Sequence, residues 1–304
     1  MKNNQQYTEG FSENNGVKIF YRDYGPEDGD PVLMVHGLGA QLVHWQPHLI
    51  SFLQDNNFRP IAYDNRDVGL SSRFAATPSF VLDYIKYFLR LPIKSEYKID
   101  DMADDGIQLL ETLKIEKAHI FSTSMGGMIA QIICAQYPEK VKTFTLIAST
   151  ASTPSPINAP TKAVREIMLQ RSKNPNASYD EIIKREIKMV SLIGMEGREV
   201  DTPEFRKETI ENLDRSKDGS GYARQLLSIL ASKDRLKKIK KIKAPTLIIH
   251  GKDDPMIHVK NAYRMHELIP HSRLKIIKNM RHLIEPEVLK QFEGMLLEHL
   301  NISS

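Results

Sequence analysis

The chain of 304 residues lacks the sequence features of disulfide-rich, membrane-spanning and secreted proteins. It carries one cysteine, Cys134, so an internal disulfide is excluded and a reducing, cytoplasmic location is expected. No run approaches the roughly 18 apolar residues of a membrane span, and the polar stretch Met1–Gln6 lacks the apolar core of a signal peptide. These absences predict a globular protein without membrane insertion.

The net charge of the chain is also small. The 42 Lys and Arg against 38 Asp and Glu leave a formal net charge of +4. The densest basic run, Lys233–Lys243, is interleaved with apolar Leu236, Ile239 and Ile242 and contains no aromatic residue. Such a run is typical of a solvated helix face, so we expect no nucleic-acid partner.

The sequence does contain an alternation of short apolar runs and helical stretches. The apolar runs are Val32–Val35, Pro60–Tyr63, Ala118–Phe121, Phe144–Ala148, Thr246–Ile249 and Leu274–Ile277. Helices are predicted over about 101–113, 125–137, 258–268 and 287–300, and an edge hairpin around 17–24. Continuous apolar strands are typical of a parallel sheet buried on both faces. The fold class predicted is therefore α/β, a mostly parallel sheet flanked by helices.

The alternation stops after residue 150. Residues 151–240 are proline-rich, then charged and helical, without a convincing strand. We interpret them as a helical cap inserted into one core domain made of residues 1–150 and 241–304. Met168, Met189 and Met195 offer deformable apolar surface in this cap, although ordinary helix packing is the alternative explanation for each of them.

The most specific motif is the hexapeptide Ser122–Gly127, S-T-S-M-G-G, which lies between an apolar strand and a helix. A sharp turn from strand to helix exposes its middle side chain, Ser124, at the carboxyl edge of the sheet, and small residues two before and two after let the backbones approach. Gly126 fits this pattern. Ser122 departs from the usual glycine, and its hydroxymethyl group is expected to crowd the turn without abolishing it.

A serine hydroxyl needs a general base within hydrogen-bond reach and an acid to orient that base. Asp253 and Asp254 follow one downstream strand, and His282 follows the last one, which gives the chain order Ser, Asp, His. Each group lies just after the carboxyl end of a strand, where open parallel sheets bind ligands. The sequence therefore predicts a nucleophile, an acid and a base at one edge.

Together these motifs resemble the α/β-hydrolase fold family over nearly the whole length. The matching segments are His36–Gly39, Tyr63–Ser71, Ser122–Gly127, Gly251–Pro255 and Arg281–His282. The pattern D-N-R-D-x-G-x-S-S is most similar to the aclacinomycin methylesterase-like branch of carboxylic-ester hydrolases.

The resemblance implies a role for each matching position. Ser124 would be the nucleophile and His282 the base. Asp254, three residues after the glycine that ends its strand, would orient the base, with its neighbour Asp253 as the alternative. The backbone N–H groups of Leu38 and Met125 would form the oxyanion hole.

The resemblance also gives expectations about the surroundings of this triad. Asp64 and Arg66 would brace nearby loops. Gly37 and Trp45 are expected to line the substrate pocket, although core burial explains Trp45 equally well.

The predicted activity is hydrolysis of small-molecule carboxylic esters with a hydrophobic portion, without a cofactor and without a metal, by a monomer or homodimer. A C–C bond hydrolase or perhydrolase with the same triad is the alternative enzyme, and a ligand-binding receptor on this fold is the alternative outside enzymes. His250, Asp253, Asp254 and His258 could also suggest a metal site, but no second ligand set accompanies them.

Overall fold

The computed structural model describes residues 6–75, 80–89, 91–151, 159–174, 177–216, 218–232 and 235–303. In these residues a mixed sheet contains β1 (Thr8–Asn14), β2 (Val17–Asp23), β3 (Asp30–Val35), β4 (Phe58–Tyr63), β5 (Ala118–Thr123), β6 (Val141–Ile147), β7 (Thr246–Gly251) and β8 (Arg273–Ile277). The helices are α1 (Pro47–Asp55), α2 (Phe80–Phe88), α3 (Ile99–Thr112), α4 (Met125–Gln136), α5 (Lys162–Lys173), α6 (Tyr179–Ile193), α7 (Pro203–Arg215), α8 (Gly221–Ala231), α9 (Leu236–Ile239), α10 (Lys260–Leu268), α11 (Pro286–Leu289) and α12 (Glu293–Leu300).

The sheet order is β1-β2-β4-β3-β5-β6-β7-β8. The pairs β1–β2 and β2–β4 are antiparallel, and all later pairs are parallel. Every residue of β5 and β7 is buried, as expected for strands covered by helices on both faces. The predicted α/β class, with its mostly parallel sheet, is confirmed.

The first hairpin uses a turn that the sequence analysis did not identify. Strand β2 pairs with the upstream residues Thr8–Asn14 through Asn15 and Gly16, whose φ angles are 50° and 80°. Two adjacent residues with positive φ match the twist of the flanking strands and favour a tight hairpin.

The last predicted helix is two helices, so its continuous range of 287–300 was wrong. Helix α11 begins with Pro286 at its first turn and ends at Leu289, and α12 begins at Glu293. Between them Phe292 leaves the helical conformation, with φ −136° and ψ 0°, and its side chain is 1% exposed. The break places this ring in the core.

Between β6 and β7 the described residues form only helices, α5 to α9. Tyr222, Leu226 and Ile229 of α8 belong to the same buried cluster as Leu110 and Ile133 of the α/β part. The end of the insertion therefore packs directly on the sheet's helical layer. The division into 1–150 with 241–304 and a cap of 151–240 stays a prediction, and residues 152–158 lie outside the described part.

Surface features agree with the sequence interpretation. In the basic run, Ile239 and Ile242 are buried whereas Lys237, Lys240 and Lys241 are exposed, and Lys233 lies outside the described residues. No helix in the described part combines the length and the apolarity that crossing a membrane requires.

Arg66 and Asp105 form an ion pair inside the protein. The Nε and Nη2 atoms of Arg66 each lie 2.7 Å from a carboxylate oxygen of Asp105. The side chains are only 6% and 2% exposed. This pair fixes the loop after β4 to helix α3.

Substitution Asp105→Ala should lower the free energy of unfolding by about 3–5 kcal/mol, because it leaves the Arg66 charge buried without its partner. The control Glu298→Ala removes a carboxylate from an exposed pair with Arg273 and should cost less than about 1 kcal/mol. Urea unfolding followed by circular dichroism measures both variants. Equal losses would contradict the importance of the buried pair.

Acid should destabilise the protein partly through His299. Burial lowers the pKa of His299 to about 4 from 6.5, and its Nε2 donates to the Phe144 carbonyl oxygen at 3.2 Å. The unfolded chain takes up this proton near pH 6.5 but the folded chain only near pH 4. The resulting stabilisation, on the order of 3 kcal/mol, is present above pH 6.5 and is lost as the pH falls to 4.

The variant His299→Gln keeps an uncharged donor but cannot take up a proton. Its free energy of unfolding should therefore fall less steeply between pH 6.5 and 4 than that of the wild type. Urea titrations at several pH values give this slope directly. Parallel curves for the two proteins would show that another group governs the acid sensitivity.

Candidate active site

Ser124 lies at the turn between β5 and α4 in a strained backbone conformation. Its φ is 55° and its ψ −124°, a region that residues other than glycine rarely adopt. The turn is fixed by hydrogen bonds from Ser124 N to Ile147 O at 3.0 Å and from Ser149 Oγ to Ser124 O at 2.7 Å. A Cβ at Gly126 would lie 2.0 Å from Val35 O, so only glycine permits this close approach.

Ser122 occupies the position where the motif usually has glycine. Its side chain is completely buried, and its hydroxyl donates to the Thr145 carbonyl oxygen at 3.0 Å. The neighbouring strand β6 therefore satisfies the additional polar group. The departure from the motif is accommodated and Ser124 keeps its turn.

The structure brings Ser124, His282 and Asp254 into one line of hydrogen bonds. His282 Nε2 lies 3.1 Å from Ser124 Oγ, and His282 Nδ1 lies 2.7 Å from Asp254 Oδ2. Since a carboxylate only accepts hydrogen bonds, Nδ1 carries the proton and Nε2 is free to accept from the hydroxyl. His282 and Asp254 are 5% and 6% exposed, so water competes little for these bonds.

Of the two adjacent aspartates, Asp254 makes the contact with His282. Its other oxygen, Oδ1, accepts from the backbone N–H groups of Met256 and Ile257 at 2.8 and 2.9 Å, which fixes the carboxylate plane. Asp253 is exposed. The geometry therefore favours Asp254 as the acid and leaves Asp253 on the surface.

His250 ends β7 next to this acid. Its Nε2 donates to Ile257 O at 2.7 Å, and burial lowers its pKa, so the ring is a neutral structural group. Within the residues that the structure describes, no three His, Cys, Asp or Glu side chains are grouped as metal ligands.

The residues expected to form the oxyanion hole lie on either side of Ser124. Met125 is the first residue of α4, where backbone N–H groups have no partner within the helix. An added Cβ at Gly37 would lie 3.0 Å from Ser124 Cβ, so the backbone leading to Leu38 passes beside the serine. Neither the Leu38 nor the Met125 N–H finds an acceptor among the described residues. An N–H group without an acceptor meets one requirement for a donor to a developing oxyanion.

His36 and Trp45 form an aromatic contact behind the loop that contains Gly37. Their ring centroids are 4.3 Å apart, and Trp45 also meets the Phe121 ring edge-on at 5.7 Å. Burial lowers the pKa of His36 to about 3, so its Nδ1 stays unprotonated and accepts from Gly37 N at 2.7 Å. Trp45 is 5% exposed and belongs to a core cluster, and a pocket-lining role for Trp45 or Gly37 stays a prediction.

Asp64 braces the loop after β3, as the family resemblance implied. Its Oδ1 accepts from Leu42 N at 2.7 Å and its Oδ2 from Leu70 N at 3.0 Å. Arg215 Nη2 of helix α7 lies 2.7 Å from Oδ2 of the same carboxylate. The Arg66 side chain acts further away, on Asp105.

Sequence reasoning missed the arginines that link the insertion to this region. Arg224 of α8 lies with its Nε 2.9 Å from Asp67 Oδ1, and Gln225 accepts from Gly39 N at 2.8 Å. A Cβ at Gly221 would lie 1.8 Å from Asp67 O, so α8 is pressed against the loop after β4. No local motif marks these contacts, because the partners lie far apart in the chain. The separation is 157 residues for Arg224 and Asp67 and 186 for Gln225 and Gly39.

An open hollow of about 550 Å³ lies at the opposite edge of the sheet. Asp30, Phe58 and Lys142 line it, at or next to the residues where β3, β4 and β6 begin. Since Ser124 follows the carboxyl end of β5, this hollow takes no part in the site.

The line of hydrogen bonds predicts how Ser124 reacts with a fluorophosphonate probe. In Asp254→Asn the amide nitrogen cannot accept from Nδ1, so the imidazole adopts the tautomer that cannot take the serine proton. Labelling should slow by about 10⁴-fold, the size of the effect that the equivalent change has on kcat in serine proteases. The control Asp253→Asn should label at the wild-type rate, which mass spectrometry of the Ser124 peptide measures. An equal loss of labelling rate in Asp254→Asn and Asp253→Asn would contradict the assignment of Asp254 as the acid.

Comparison with known proteins shows which sequences this chain is similar to. A non-heme chloroperoxidase of Kitasatospora aureofaciens is 26% identical over 310 residues, which cover 94% of this chain and 97% of that protein. The rhodomycin D methylesterase DnrP of Streptomyces peucetius is 22% identical over 303 residues, covering 94% and 96%. The methylesterase match confirms the resemblance to the aclacinomycin methylesterase-like branch.

A solved structure shares the architecture. The meta-cleavage product hydrolase of Pseudomonas fluorescens superposes with a TM-score of 0.74 at 22% identity, covering 97% of this chain and 98% of that one. This likeness concerns the fold alone. The sequence model of the α/β hydrolase fold matches residues 30–285, which is most of the length. The chain therefore belongs to the α/β-hydrolase fold family.

Proposed function

We propose that the protein is a serine hydrolase that cleaves carboxylic esters of small hydrophobic molecules through an acyl-enzyme intermediate. The observation that carries this proposal is the hydrogen-bonded line from Ser124 Oγ through His282 to Asp254, with distances of 3.1 and 2.7 Å. Relatives whose names denote methylesterases and a lactonase support a hydrolase activity.

The first half-reaction transfers the acyl group to the enzyme. Ser124 Oγ attacks the ester carbonyl carbon while its proton moves to His282 Nε2, and the carbonyl oxygen becomes an oxyanion. The N–H groups of Leu38 and Met125 would stabilise that charge, and losing one such donor typically costs about 3 to 4 kcal/mol of transition-state stabilisation. Collapse of the intermediate breaks the ester C–O bond, and His282 gives the proton to the leaving alcohol.

The second half-reaction restores the enzyme. Water gives a proton to His282 Nε2 as its oxygen attacks the acyl carbon, and the second tetrahedral intermediate expels Ser124 Oγ, which regains the proton. Asp254 stays ionised and stabilises the imidazolium in both steps. The preference for a hydrophobic acyl or alcohol group is proposed from the apolar residues in the sequence 151–240, since such a group would gain about 25 cal/mol per Å² of apolar area buried against them.

The test compares the wild type with Ser124→Ala on p-nitrophenyl esters of graded chain length. We expect turnover that is abolished in Ser124→Ala and retained in Ser122→Gly, which changes the neighbouring serine without touching the hydroxyl that attacks. Rapid quenching should trap the acyl group on the Ser124 peptide, as mass spectrometry would show.

Three outcomes would overturn the proposal. Tight binding of hydrophobic ligands without turnover in any variant would favour a receptor. Cleavage of a vinylogous diketone, but of no ester, would favour a C–C bond hydrolase. Formation of peracids from carboxylic acids and hydrogen peroxide, again without ester hydrolysis, would favour a perhydrolase.

A further inference from the structure

The end of helix α6 receives its hydrogen bonds from the loop that carries His282. The last carbonyl groups of a helix have no partner within the helix and need donors from elsewhere. His282 N donates to Ile193 O at 2.8 Å, and Arg281 Nη1 donates to Leu192 O at 3.2 Å. The inserted helices are therefore bonded to the backbone of the imidazole residue itself.

Glu285 makes a second set of contacts with the segment that follows α6. It is 4% exposed, and its Oε2 accepts from Met195 N at 2.7 Å while its Oε1 accepts from Arg198 Nη1 at 2.7 Å. A Cβ on Gly194 would lie 3.2 Å from Oε1, so the absence of a side chain at this position lets the carboxylate approach closely. Glu285 thus binds the residues that directly follow α6.

Glu285 is also fixed to the core. Its carbonyl oxygen accepts from Val288 N and Leu289 N at 2.9 Å, at the start of α11, and both of these side chains are buried. The carboxylate consequently presents a fixed acceptor to the insertion. Only two residues separate it from His282, so a shift of the 193–195 segment would act directly on the histidine backbone.

We propose that Glu285 is a positioning residue, which clamps the end of α6 against the His282 backbone and so keeps the imidazole between Asp254 and Ser124. The inference rests on the proposed function. Removing the carboxylate leaves the Met195 N–H without its acceptor and removes the counter-charge of Arg198, whose side chain is 45% exposed. A part-buried N–H group without an acceptor favours local rearrangement of the 193–195 segment. The Ile193 carbonyl then moves away from His282 N, and the imidazole loses its fixed distance to Ser124.

Steady-state kinetics on an ester substrate give the first test. In Glu285→Ala we expect kcat to fall by about 10- to 100-fold while KM stays nearly constant, because small misplacements of a reacting group act on the chemical step. Glu285→Gln keeps an acceptor for Met195 N–H and should recover most of kcat. The control Glu287→Ala removes an exposed carboxylate two residues away and should behave as wild type.

The second measurement does not depend on turnover. A proton held between His282 Nδ1 and Asp254 should give a far-downfield proton resonance, which His282→Gln would assign by its loss. We expect the resonance to remain in Glu285→Gln and to broaden or disappear in Glu285→Ala at temperatures where circular dichroism shows that both are folded.

If Glu285→Ala does not fold, Gly194→Ala tests the same contact from the other partner. Its Cβ would lie 2.9 Å from Val190 O and 3.2 Å from Glu285 Oε1, and we expect a smaller fall in kcat with weakening of the same resonance.

These results separate the two proposals. A wild type that hydrolyses no ester would overturn the proposed function, yet the resonance would still report whether Glu285 positions His282. A Glu285→Ala protein with wild-type kcat and an unchanged resonance would overturn the inference. A Glu285→Gln protein whose kcat is as low as that of Glu285→Ala would also overturn the inference.

Discussion

The whole site depends on the strained backbone of Ser124. Holding a residue other than glycine in such a conformation costs on the order of 1–3 kcal/mol, so the surrounding structure must over-determine it. Strand β6 contributes Ile147 O as an acceptor, Ser149 supplies a donor just beyond that strand, and Gly126 lets the first turn of α4 approach Val35 O. The parallel sheet therefore supplies rigid neighbours on both sides of the turn between β5 and α4, and the Ser124 hydroxyl projects from this turn.

Buried carboxylates carry out the remaining positioning. Asp254 is satisfied by two backbone N–H groups and His282, whereas Asp64 and Asp67 accept from loop backbone and from arginines of the insertion. Each is almost inaccessible to water, so each would be costly without these partners. The same residue type thus contacts the imidazole in one place and holds the loops after β3 and β4 in another, and the difference lies only in which donors the fold brings to it.

Local sequence patterns predicted the strands and the strand-to-helix turn, which depend on interactions between residues close together in the chain. The six apolar runs lie in strands, and these are mostly buried except for β8, which is half-buried along most of its length. Ser124 was identified because a strand-to-helix turn needs small residues at fixed offsets. Helices α1 and α2 and the hairpin partner β1 were missed, and the residues of β1, Thr8–Asn14, form no continuous apolar run. The contacts of Arg224 with Asp67 and of Glu285 with Met195 depend on packing between distant segments, which no spacing in the chain encodes.

Among the bonds that join the helices between β6 and β7 to the rest of the chain, two sets lie next to the candidate site. In one set Arg215 and Arg224 reach Asp64 and Asp67, and in the other the end of α6 is bonded to His282 and Glu285. A rigid swing of all the inserted helices would break both sets of buried bonds at once. A displacement of the end of α6 would act on the imidazole residue as well, because His282 N donates to Ile193 O at 2.8 Å.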